Sequence, residues 1–183
     1  MGTIELESMA INMPVVAGHP NREPFVGVLT LVDVASDRAP AGARGHRVIL
    51  TRAAAETALP SLLGMALDYS PSFDRHDAQR KVGIITRADI VGRALELGGY
   101  LFAKDFPEIV HRIGRAPRKL EARWRRSGHA GGLGMSYEIA DASVADLRAR
   151  IWTLTQVTFT GAAILRRDKA AYQDTWIELE TDI

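Results

Sequence analysis

The sequence predicts an α+β domain: a β-rich, barrel-like sheet of about seven to nine mostly antiparallel strands with two or three helices around it. Three observations carry this. Apolar residues alternate with small or polar ones through most of the chain, as in residues 25–32 and 151–159. Glycine and other turn residues punctuate these runs at short intervals. Helical patterns are few and brief. With 183 residues, 46% of them hydrophobic, the chain can bury a core and reads as one domain over residues 1–183, with residues 1–20 as an arm.

Taken in order, "EPFVGVLTLVDVAS" reads as a strand and "SDRAPAGARG" as a turn. "HRVIL" is a short apolar strand. Thr51 suits the N-cap of "RAAAETALPSLLG", where alanines favour helix, Pro60 interrupts it and Gly64 ends it. "KVGIITRADIVGRALELGGYLFA" holds two or three β segments, with Gly83, Gly92, Gly98 and Gly99 at bends or bulges. "DFPEIVHRIGR" reads as a helix capped by Asp105, with Pro107 in its first turn and Ile109 and Ile113 on one face. Residues 115–133 form a basic, glycine-ended loop. "LGMSYEIADA" and "LRARIWTLTQVTFTGAAIL" are strands, the second with a polar face of threonines and Gln156. "RRDKAAYQD" suits a helical turn or two, and "TWIELE" a last strand.

Composition limits the chemistry. With no cysteine there are no disulfides, thiolate metal sites or cysteine nucleophiles. The five histidines include no pair at the four-residue spacing of a helical zinc motif, so neither a metal nor an organic cofactor is expected. The N-terminus lacks the basic start and apolar stretch of a signal peptide, and no run is long enough to span a membrane; the expectation is a soluble cytoplasmic protein. "GGLGMS" lacks the Gly-Lys-Ser/Thr ending of a phosphate loop and leads into a strand. Seven basic residues lie between Arg112 and Arg126, around Trp124. Such a run can bind single-stranded nucleic acid, but the formal net charge of only +1 favours a solvated segment that docks on protein.

Serine hydrolysis needs a hydroxyl, a base to take its proton and a group that orients the base, with no requirement that they be close in sequence. His76, between a turn-rich stretch and an apolar strand, is the candidate base. Ser136, where the glycine cluster meets a strand, is the candidate nucleophile. It lacks the Gly-x-Ser-x-Gly elbow, since Glu138 stands two residues on, which speaks against a generic esterase.

The order of "LPSLLGMALDYSPSFDRHDAQRKVGIITRADIVGRALELGGYLF", "FPEIVHRI", "LGMSYEIAD" and "LTQVTFTGAAIL" resembles the phage prohead maturation proteases, serine proteases of capsid assembly similar to the herpesvirus assembly proteases. The resemblance spans most of the chain. It implies a herpesvirus-protease-like fold and an endopeptidase that cleaves scaffold and major capsid proteins, and itself, inside the procapsid in the host cytoplasm. It makes Ser136 the nucleophile and His76, before Val82-Gly83-Ile84-Ile85, the base. The third member falls on Gln156 or, on the same strand face, Thr158, where the family commonly has a glutamate. A neutral Gln156 compensates an imidazolium less, so Glu138 or Asp141 could move in instead; or the protein could be a weak or inactive, structural procapsid module. Arg166 and Arg167 match an arginine pair near the oxyanion. Gly132 and Gly134 leave room for substrate backbone. A homodimer is expected by analogy with the herpesvirus enzymes.

Overall fold

A computed structural model describes residues 19–115 and 132–180. The expected arm falls almost wholly outside these residues, as does most of the basic loop. Strand β1 (Glu23–Leu31) is followed by the short β2 (Arg47–Leu50), helix α1 (Arg52–Ala58) and a 3-10 turn (Leu59–Leu62). Next come β3 (Ala66–Tyr69), β4 (Lys81–Val91), β5 (Ala94–Leu101) and helix α2 (Pro107–Gly114). The long strands β6 (Leu133–Val144) and β7 (Ile151–Arg166) and the short β8 (Trp176–Leu179) complete the fold.

The eight strands form one sheet in the order β2-β7-β3-β4-β5-β1-β8, with β6 joined to β7. β7 organises it. β6 runs antiparallel along one edge, from Leu133 opposite Arg166 to Val144 opposite Leu154. On the other edge β2 pairs parallel with one end of β7 and β3 parallel with the other. The remaining ladders are antiparallel. The sheet curls so that β1 packs across on β6: a side chain at Gly27 would collide with the Met135 sulfur and the Trp176 carbonyl. Thr175, just before β8, accepts a hydrogen bond from the Met135 amide, at 3.1 Å. The result is a half-barrel, as the alternating pattern predicts.

Its interior holds Phe25, Leu29, Leu50, Leu62, Leu67, Ile85, Leu97, Met135 and Phe159, all essentially buried. α1 is amphipathic through small residues. Ala54, Ala55 and Ala58 are buried, and alanine's short side chain lets the helix lie close against β7. Thr51 caps it as the sequence predicts, accepting from the Ala54 amide at 3.2 Å and donating to the Leu154 carbonyl at 3.1 Å. The β4–β5 hairpin turns at Gly92, whose φ of +61° a side chain would strain. At Gly99 an added Cβ would stand 2.0 Å from the Ile84 carbonyl, so only glycine allows the two strands to cross so closely.

Two local expectations are corrected, and one strand has no counterpart in the sequence reading. α2 is capped by Phe106 and not Asp105, whose carboxylate instead accepts from Asn21 Nδ2 at 2.8 Å. Beyond Arg166 at the end of β7, residues 167–174 form turns rather than a helix: Arg166 and Asp168 pair and the chain reverses toward β8. Residues 66–69 form β3, a strand too short for any alternating pattern to reveal it. Its place depends on parallel pairing with β7, which is distant in sequence.

Candidate active site

His76 sits on the loop from β3 to β4, and several hydrogen bonds fasten that loop. Ser70 Oγ and Ser72 Oγ donate to Asp74 Oδ1 at 3.0 and 2.5 Å, which holds the Asp74 carboxyl below its usual range. Phe73 is buried in the left-handed region at φ 53°, a strained conformation for an aromatic residue. It is held there by contacts on both sides. Its ring lies against Tyr69, the Arg112 guanidinium covers it 4.8 Å from the ring centre, and its carbonyl accepts from the Arg166 amide at 2.7 Å. The Asp77 amide, next to His76, donates to Asp68 Oδ1 at 3.1 Å.

The imidazole therefore lies between two carboxylates. Asp68, on β3, is fully buried. Its Oδ2 is 3.9 Å from His76 Nδ1 and 3.4 Å from Lys81 Nζ. Burying a carboxylate is costly without partners, and Asp68 has the Asp77 amide and the Lys81 ammonium. Glu138, on β6, brings Oε1 to 3.2 Å from the same Nδ1. The Glu138 carboxylate fits because residue 161 on the paired strand is glycine. A Cβ there would stand 3.1 Å from Glu138 Oε2. Nδ1 itself is buried and makes no aligned hydrogen bond, although the ring as a whole is 23% exposed.

Ser136 is half-buried on β6, opposite the small, buried Ala163. Side chains alternate along a strand, so Ser136 and Glu138 share a face about 7 Å apart. Met135 and Tyr137 point the other way, Met135 into the core. The strand thus places the hydroxyl one step along the same face from the carboxylate that touches His76.

The sequence-predicted orienting residues lie elsewhere. Gln156 is exposed and pairs with Ser143; Thr158 pairs with Ala140. Gly161, beside Glu138, is five residues from Gln156, about 16 Å along the strand. Asp141 is exposed at a φ of 50°, where the β6 ladder is irregular. Of the carboxylates the sequence offers, Glu138 is the one that reaches the ring, and Asp68 was missed. The signal for Asp68 is an acid enclosed by apolar neighbours in "ALDY", which implies a buried, partnered carboxylate.

The arginines diverge. The exposed Arg166 guanidinium is committed to Asp168, at 2.8 and 2.5 Å. Arg167 starts on the Ser136 face, since its Cα lies 3.4 Å from where a Cβ at Gly134 would be, and its guanidinium runs back against Gly132. The space that Gly132 and Gly134 leave is thus filled by Arg167 and by Thr175, whose Oγ1 is 2.7 Å from a Cβ at Gly134. It is not open to substrate, which corrects the expectation from sequence.

No family model and no curated protein matches the chain. Among solved structures it is similar to a KSHV protease, described in complex with a hexapeptide phosphonate inhibitor, with a TM-score of 0.50 and 15% identity. The match covers 87% of this chain and 66% of that one, just under two thirds of the neighbour's length. At this identity the likeness shows the fold: the half-barrel is herpesvirus-protease-like.

Proposed function

We propose that the protein is a serine endopeptidase that processes scaffold and major capsid proteins, and itself, during prohead maturation. The observation that carries the reading is the His76 imidazole, held between Asp68 and Glu138, with the Ser136 hydroxyl two residues before Glu138 on the same face of β6. In the mechanism, His76 Nε2 takes the Ser136 proton as the hydroxyl attacks the scissile carbonyl. Nδ1–H faces the two carboxylates, which fix the tautomer and offset the imidazolium charge. Hydrogen bonds of this kind tighten when substrate binds, so the unaligned contact at Nδ1 is compatible with the role. His76 then returns its proton to the leaving amine, and water releases the acyl-enzyme. Backbone amides near Ser136 hold the oxyanion.

The alternative of an inactive procapsid module rested on a neutral Gln156 beside the base. The groups beside the base are carboxylates, which favours the enzyme reading. The decisive trial is co-expression with the scaffold and major capsid proteins. Defined cleavage of either, lost in Ser136→Ala, is the expected result; intact partners with the native protein would favour the structural module.

A further inference from the structure

We propose that Asp68, His76 and Glu138 together form a binding site for a first-row divalent cation, Zn²⁺ fitting best, and that occupancy switches the base off. The consequence rests on the protease reading; the binding rests on geometry alone. One ligand atom from each of the three residues lies within 4.8 Å of the other two. Nδ1 is 3.2 Å from Glu138 Oε1 and 3.9 Å from Asp68 Oδ2. A tetrahedral zinc ion with bonds of about 2.0–2.1 Å needs ligand atoms about 3.3–3.4 Å apart, so the two gaps at Nδ1 are near that spacing, and the two carboxylates, within 4.8 Å of each other, draw together on binding. Imidazole and carboxylate donors without thiolate suit Zn²⁺ or its first-row neighbours.

A second, independent observation points to a ligand. His76 Nδ1 is buried and lacks an aligned hydrogen bond, although a carboxylate oxygen stands 3.2 Å away. A ring nitrogen and a carboxylate in contact without a shared, aligned proton are suited to a cation between them. Access exists, because the His76 and Glu138 side chains are 23% and 34% exposed. Lys81 Nζ, 3.4 Å from Asp68 Oδ2, is the resident positive charge and opposes a second one.

The switch follows from proton bookkeeping on the ring. Neutral imidazole carries one N–H. Catalysis needs it on Nδ1, leaving the Nε2 lone pair for the serine proton. A cation on Nδ1 moves the proton to Nε2, and the ring can no longer accept. Histidine spacing alone predicts no metal here, because these ligands come from β3, the β3–β4 loop and β6, not from one helix.

The test is calorimetric titration of Zn²⁺ into the Ser136→Ala protein, which cannot turn over substrate. One ion per chain is expected, with affinity lowered at least ten-fold by the isosteric Glu138→Gln and raised by Lys81→Met. Circular dichroism confirms that each variant is folded. In the native protein Zn²⁺ should inhibit cleavage and a chelator restore it. No binding, or binding indifferent to Glu138→Gln and His76→Ala, overturns the proposal. Site-specific binding in a protein with no zinc-free peptidase activity would instead overturn the protease reading and leave the cation site standing.

Discussion

Replacing Ser136 or His76 by alanine is expected to lower kcat/KM for peptide cleavage by about 10⁴–10⁶-fold, roughly 5–8 kcal/mol of transition-state stabilisation. The two changes should not add. Without the hydroxyl the imidazole has no proton to take, and without the imidazole the hydroxyl is a poor nucleophile, so the double variant should match the worse single one. Folding should be little affected. Ser136 is half-buried opposite an alanine, and His76 makes no aligned hydrogen bond through Nδ1. A thermal melt within a few degrees of the native protein, beside an activity loss of this size, separates chemistry from unfolding. Normal cleavage by Ser136→Ala would remove the serine from the mechanism.

The second large effect is at the carboxylates. Glu138→Gln keeps the shape and removes the charge 3.2 Å from His76 Nδ1. Losing the charged orienter of a serine triad costs about 10⁴-fold in kcat. Here Asp68 remains at 3.9 Å, so a loss of about 10²–10³-fold is expected for Glu138→Gln alone, falling on kcat more than on KM. Gln156→Ala should change kcat less than about two-fold, since its side chain is exposed and some 16 Å along the strand from Gly161. Steady-state kinetics of the pair decide between them. A large loss at Gln156 with none at Glu138 would restore the assignment drawn from the sequence motif.

That contrast shows what the sequence could convey. β1, the β4–β5 hairpin, α2 and the long β6 and β7 are legible because alternation or helical spacing runs through enough residues to distinguish them. β3 is not, for its four residues carry no pattern of their own and are strand through pairing with β4 and the distant β7. The proposed nucleophile and base, Ser136 and His76, stand out as chemistry in a familiar order. The group beside the base is legible only as a set of alternatives, Gln156, Thr158, Glu138 and Asp141, because the choice among them depends on register. The ladder sets Glu138 opposite Gly161, and the vacancy of a missing side chain at Gly161 admits the carboxylate. The motif puts the third member on β7, at Gln156 or Thr158, with Glu138 or Asp141 as the alternative carboxylates; in the structure β6 brings the Glu138 charge to the ring and β7 leaves it room. Gly132 and Gly134 mislead in the same way: their small size serves Arg167 and Thr175, not a ligand.

Covalent labelling tests the central claim most directly, because it needs no knowledge of the natural substrate. The protein is treated with a fluorophosphonate, which reacts with serines activated by a neighbouring base, and the adduct is located by peptide mass spectrometry. One adduct on Ser136, lost in Ser136→Ala and strongly slowed in His76→Ala, is the expected result. No adduct under conditions that label a control serine protease, or an adduct on another serine, would contradict it.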